Sequence, residues 1–190
     1  TMSTRATETL AADVLKGKQL FYDAADTRLA RDGYLSCAAC HRDGDHDGRV
    51  WDLSGQGEGL RRTPSLLGKG AGHGAIHWSA NFDEFQDFEG QIRGLAGGTG
   101  LMTNADFALS ATPLGLPKAG RSADLDALAA YLRSLQRAPA SPARTAAGAL
   151  TADAAAGQSL FATKCASCHA GGAFTDSALG KVWDVGTIKA

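Results

Sequence analysis

The chain has 190 residues, of which 21% are charged, and a formal net charge of −1; this length suits one large or two small domains. Near-neutrality excludes the basic stripe that a nucleic-acid partner needs and the polybasic patch that a membrane surface attracts. No apolar run is long enough to span a bilayer, and 24 glycines predict short helices joined by loops that pass close to something flat.

Residues Thr7 to Tyr22 read as a helix, with Leu10, Val14 or Leu15, and Leu20-Phe21 at helical spacing. The stretch Gly17-Lys18-Gln19-Leu20-Phe21 returns as Gly157-Gln158-Ser159-Leu160-Phe161. After each copy comes the same pentapeptide pattern, Cys37-Ala38-Ala39-Cys40-His41 and then Cys165-Ala166-Ser167-Cys168-His169. C-x-x-C-H is the attachment signature of a c-type haem. Two thiols three positions apart add to the two vinyl groups of one porphyrin edge, and the adjacent histidine supplies the proximal imidazole. The two copies use all four cysteines of the chain, which leaves none for a disulfide or a separate cysteine–zinc cluster. The expected cofactors are therefore two covalently bound haem c groups, with His41 and His169 as iron ligands. The spacers differ: 15 residues separate Phe21 from Cys37 and 3 separate Phe161 from Cys165. Tyr22 to Ser36 is thus an insertion in the first unit.

Beyond His41, Asp43-Gly44-Asp45-His46-Asp47-Gly48 resembles the start of a calcium loop. The twelfth position is Ser54, where a bidentate Glu belongs. A solvated acidic turn is the favoured reading, with Ca2+ as the alternative. Arg61, in Arg61-Arg62-Thr63-Pro64-Ser65-Leu66, is a candidate partner for a haem propionate. His73, His77 and Trp78 follow; either histidine is a rival iron ligand, and a packed, hydrogen-bonded role is the ordinary alternative. Phe82, Phe85, Phe88 and Ile92 have helical spacing and predict a helix on the first haem. Met102 stands 61 residues beyond His41, after a Gly-rich turn, and is the chain's only thioether away from the terminus. It is expected as the sixth ligand of the first haem, the alternative being a core-filling side chain.

Ser122 to Gln136 reads as the closing helix of the first unit, N-capped by Ser122 and carrying Leu125, Leu128, Leu132 and Leu135 on one face. Pro139 and Pro142 mark a linker. The expected division is 1–137 for the first haem domain, 138–149 for the linker and 150–190 for the second. About 40 residues are too few to enclose a haem unaided, so the second domain reads as cut short.

The paired Gly-x-x-Leu-Phe…C-x-x-C-H units, Arg61-x-Thr63-Pro64-Ser65-Leu66, His77-Trp78 and Phe174-Thr175-Asp176…Asp184-Val185-Gly186-Thr187 resemble the bacterial dihaem cytochrome c peroxidase and MauG superfamily. The resemblance implies an all-α fold of two tandem cytochrome c-like haem domains, the second incomplete, and a parent protein that is longer. It also implies one peroxidatic haem, one electron-relaying haem, and a tryptophan between them, matched here by Trp78. An acid–base glutamate is expected ten residues after the glutamine matched by Gln91, but Leu101 stands there, and a leucine cannot move a proton. Electron transfer as a module of a larger exported protein is therefore the expected function, with hydrogen peroxide-dependent oxidation as the alternative. The partners follow: a redox protein or adjacent domains of the parent chain, and peroxide under the alternative. Covalent haem attachment implies a periplasmic or secreted location, the export signal being absent from the sequence.

Overall fold

The computed structural model describes residues 7–56, 58–69, 76–171 and 174. His73 and the residues from Thr175 onward, including the Asp184-Val185-Gly186-Thr187 stretch, lie outside them.

Two helices organise the first unit. Helix α1 (Ala12–Tyr22) begins with Asp13 in its first turn, where a negative charge suits the helix dipole. Helix α5 (Ala123–Ser134) is capped by Ser122, whose hydroxyl accepts from Leu125 N at 3.3 Å; Asp124 and Asp126 lie in its first turn and Arg133 in its last. The pair cross at Gly17. A Cβ there would lie 1.8 Å from the Ala127 carbonyl oxygen, so only glycine lets the backbones meet at this distance. The crossing buries Leu20, Phe21, Leu125, Leu128, Tyr131 and Leu132, each worth roughly 1.5–3 kcal/mol of apolar transfer.

Between them the chain runs through α2 (Cys37–Cys40), the strands β1 (Val50–Leu53) and β2 (Gly59–Arg62), α3 (Phe88–Gly94) and α4 (Asn104–Leu109). The strands pair antiparallel with Val50 opposite Arg62 and Leu53 opposite Gly59. The expected all-α fold is met in part: a small hairpin accompanies the helices, and its β-branched and aromatic residues Val50 and Trp51 suit this largely exposed strand. The expected helix over Phe82–Ile92 divides into a 3-10 turn, Phe85–Asp87, followed by α3. Glu84 and Asp87 cap that turn reciprocally.

The insertion between Tyr22 and Cys37 sends Leu29 and Ala30 into the core while most of it stays exposed. Leu29 and Ala30 are each 4% exposed. Its backbone is stitched to the Gly-rich strap at 96–100: Arg31 N donates to Ala96 O at 3.1 Å and Gly100 N to Arg28 O at 2.9 Å. A Cβ on Gly98 would lie 2.2 Å from Arg28 O.

Helix α6 (Ala152–Lys164), capped by Thr151, opens the second unit. Among the described residues it buries none of its own, and a Cβ on Gly157, the counterpart of Gly17, would meet nothing within 4 Å.

Candidate haem site

Helix α2 presents the first Cys-x-x-Cys-His motif to a cavity of about 880 Å³, mouth included. The cavity's mainly apolar lining suits a large, mostly apolar ligand. Cys37, Cys40 and His41 lie in one wall. Phe21 of α1 and Leu128 and Leu132 of α5 form the floor. Phe88, Gln91, Ile92 and Leu95 of the α3 region line a further side, and Leu29, Ala30, Leu35 and Ser36 of the insertion complete it. The sequence read that insertion as an addition before the haem; it is a wall of the site.

His41 is set for ligation. Its Nδ1 lies 3.3 Å from the Asp45 carbonyl, and the Pro64 carbonyl is a second backbone partner of the ring. A carbonyl only accepts, so Nδ1 carries the hydrogen and Nε2 keeps its lone pair. Burial pushes the imidazole pKa down, which keeps the ring neutral. The Thr63-Pro64-Ser65-Leu66 segment thereby gains a use that sequence pattern alone did not show: Leu66 N is bonded to Gly44 O at 2.9 Å, holding Pro64 beside the motif. Burial raises Cys37 to about 11 and Cys40 above its ordinary value, so both stand as thiols at neutral pH. These groups fit a covalently held haem c.

The second motif repeats the local geometry, and among the described residues nothing encloses it as the first is enclosed. His169 N donates to Cys165 O at 2.9 Å, as His41 N does to Cys37 O at 2.9 Å. Nδ1 of His169 lies 2.9 Å from the Phe174 carbonyl, again leaving Nε2 available. Phe161 packs 5.7 Å from Phe174 and 6.5 Å from His169 between ring centroids. Cys165 and Cys168 are exposed.

The remaining candidates fall elsewhere. Met102 is 5% exposed but is not among the residues lining the cavity. Its backbone is held in a clamp: N accepts nothing and donates to Glu89 Oε1 at 3.1 Å, while its carbonyl accepts from Arg93 Nη2 at 2.7 Å. His77 also stands outside the lining. It packs against Phe82 and Phe88 with centroids 4.1 and 5.0 Å away, and its Nδ1 meets Asn81 Oδ1 at 2.8 Å. Asn81 Nδ2 donates onward to Glu58 Oε1 at 3.2 Å. Arg61 pairs with that same carboxylate, Nε to Glu58 Oε2 at 3.4 Å, rather than lining the cavity. Trp78 is 62% exposed, its indole N–H donating to Arg62 O at 2.7 Å. Gln91, noted in the sequence only as a spacing marker, is the polar side chain that the α3 region brings to the cavity.

The calcium reading does not match the side chains. Asp43 accepts from the Tyr22 hydroxyl at 3.1 Å, and Asp47 accepts from Arg49 N and the Trp51 indole, each at 2.9 Å. Among the described residues, no three His, Cys, Asp or Glu side chains converge for a metal ion.

Comparison with known proteins bears on both units. Residues 152–190 match the family described as cytochrome C oxidase, cbb3-type, subunit III. A chain of hydrazine synthase from Kuenenia stuttgartiensis, solved under 20 bar of xenon, shares the fold with a TM-score of 0.51 and 24% identity, over 92% of this chain and 55% of that one. This chain thus spans about half the length of the solved chain it matches. No curated protein matches it. No helix among the described residues is long and apolar enough to cross a membrane. The family match points to a cytochrome c-type domain, and with it covalently bound haem c, in residues 152–190, and the solved structure shares the fold.

Proposed function

We propose that the chain is a dihaem c-type cytochrome that transfers electrons as a module of a larger periplasmic or secreted protein. Haem c would be held by Cys37, Cys40 and His41 in the first unit and by Cys165, Cys168 and His169 in the second. The observation that carries this reading is the cavity with both cysteines and a lone-pair-ready histidine in its wall and mainly apolar side chains elsewhere. A bound haem supplies the one-electron couple; the chain fixes the proximal imidazole through the Asp45 and Pro64 carbonyls and keeps water from most of the pocket. The electron partner is a redox protein or an adjacent domain of the parent chain. Pyridine-haemochrome assay of the exported chain tests it: two haems per chain, falling to one in Cys37→Ala/Cys40→Ala and to one in Cys165→Ala/Cys168→Ala. One haem in the unmodified chain sinks the dihaem assignment.

A second reading has its own observation. Neither Met102 nor His77 lines the first cavity, whereas Gln91 does. The first haem would then keep an open sixth position beside a carboxamide donor, where a small ligand such as a hydroperoxide can bind and be reduced. The ferric spectrum decides between the readings. A high-spin component that consumes hydrogen peroxide favours the second, and two low-spin haems with a methionine–iron charge-transfer band restore Met102 as ligand.

A further inference from the structure

Two phenols next to the first cavity have polar ends that neither the haem site nor helix packing requires. Phe21, 1% exposed, lines the cavity. The Tyr131 ring lies behind it, edge to face at 5.1 Å between centroids, and is 5% exposed. Tyr22 lies 5.3 Å from Phe21 and is 40% exposed. The two phenol groups interact with each other, and the Tyr22 hydroxyl donates to Asp43 Oδ1 at 3.1 Å. A carboxylate only accepts, so the Tyr22 hydroxyl is the donor to Asp43. A buried phenol and an exposed one thus flank the same ring, Phe21, which lines the cavity. Burial holds both above the ordinary phenol pKa, for Tyr22 with the neighbouring phenol adding to it. Each is therefore protonated at neutral pH and yields an electron only together with a proton.

We propose that Tyr131 and Tyr22 form a redox-active pair that carries oxidising equivalents from the first cavity to the protein surface. This rests on the second reading above, in which a hydroperoxide is reduced at the first haem. Hydrogen peroxide becomes two waters when its O–O bond breaks and it takes up two electrons and two protons. The electrons pass through Tyr131, and the net loss falls on Tyr22, which gives one electron and passes its hydroxyl proton to the exposed Asp43 carboxylate and on to water. Two chains supply the two electrons and two protons. Their Tyr22 radicals then couple, forming one carbon–carbon bond and leaving a dityrosine-linked dimer.

The chain contains three tyrosines, so assignment is tractable; the third, Tyr34, is 76% exposed and serves as the control. The haem-loaded ferric chain is mixed with hydrogen peroxide while peroxide loss, the rapid-freeze EPR signal and dityrosine fluorescence of dimers are followed. The expected result is a tyrosyl radical and a fluorescent dimer in the unmodified chain and in Tyr34→Phe. In Tyr22→Phe the dimer is lost but a radical remains, and in the Tyr22→Phe/Tyr131→Phe double variant both are lost with the ferric haem spectrum unchanged. If peroxide is consumed but the double variant keeps both signals, or Tyr34→Phe loses the dimer, the pair is overturned while the second reading stands. If the unmodified chain consumes no peroxide and forms no radical, the second reading fails and the pair with it.

Discussion

Gly17 and Gly157 occupy the same place in two copies of one motif, yet their surroundings oppose each other. Alanine at Gly17 puts a methyl group 1.8 Å from the Ala127 carbonyl oxygen, so α1 and α5 must separate. The cost is that of overpacking, about 1–3 kcal/mol or more, and is read as a lowered midpoint in thermal unfolding. Alanine at Gly157 meets nothing within 4 Å and removes a mid-helix glycine, so α6 gains about 0.5–1 kcal/mol, seen as slower amide exchange along that helix. Equal effects at the two sites would contradict this assignment. His77 carries a pH dependence of definite sign. Burial depresses its pKa in the folded chain, whereas the unfolded chain takes up the proton near 6.5. Stability from this group is therefore present above the unfolded value and lost as pH falls below it. The drop in midpoint between pH 7.5 and 5 is expected to be smaller in His77→Phe than in the unmodified chain. His77 itself holds a positive φ of 70°, a conformation that non-glycine residues seldom adopt.

Two buried ion pairs fasten the segments that frame the α3 side of the cavity. Glu89, fully buried, accepts from Leu101 N at 2.9 Å, Met102 N at 3.1 Å and Arg93 Nε at 2.8 Å. Lys118, 1% exposed, reaches Asp87 Oδ1 at 2.6 Å, and its backbone N–H donates to Glu84. Removing one partner of such a pair leaves a buried charge without compensation, at about 3–5 kcal/mol. Lys118→Met is expected to lower the denaturation midpoint by that order, and adding Asp87→Asn to recover part of it; no recovery would mean that Lys118 acts through packing alone. These elements show how far the sequence could be read. Helices α1 and α5 were legible, α1 from period and α5 from period and its Ser122 cap, because each follows from local chemistry; the repeated Gly-x-x-Leu-Phe pointed to the stretch that α6 carries. The hairpin was not, since Val50-Trp51-Asp52-Leu53 is short and its pairing depends on β2 across a turn. The cysteines and His41 were legible as a motif, whereas the use of Pro64 and Gln91 arises from tertiary contacts that no spacing encodes. The Met102 expectation rested on distance along the chain, and the hold of Glu89 and Arg93 on its backbone is a tertiary contact that no spacing encodes.

At the scale of the whole molecule the two units are unequal. The first has a core shared by α1, α5 and the cavity wall, and α6 in the second buries nothing. Hydrogen exchange is expected to show α5 amides among the slowest and α6 amides among the fastest, because opening costs scale with buried contacts; comparable protection would mean that α6 is covered in solution. The wall built by the insertion has a further meaning for biogenesis. The insertion is bonded to the strap at 96–100, and Leu29, Ala30, Leu35, Ser36 and Ala96 all line the pocket. If haem c is held as proposed, a planar macrocycle would be bonded to Cys37 and Cys40 before these two segments join. Attachment to an open chain would then come first, with the strap locking onto the insertion afterwards.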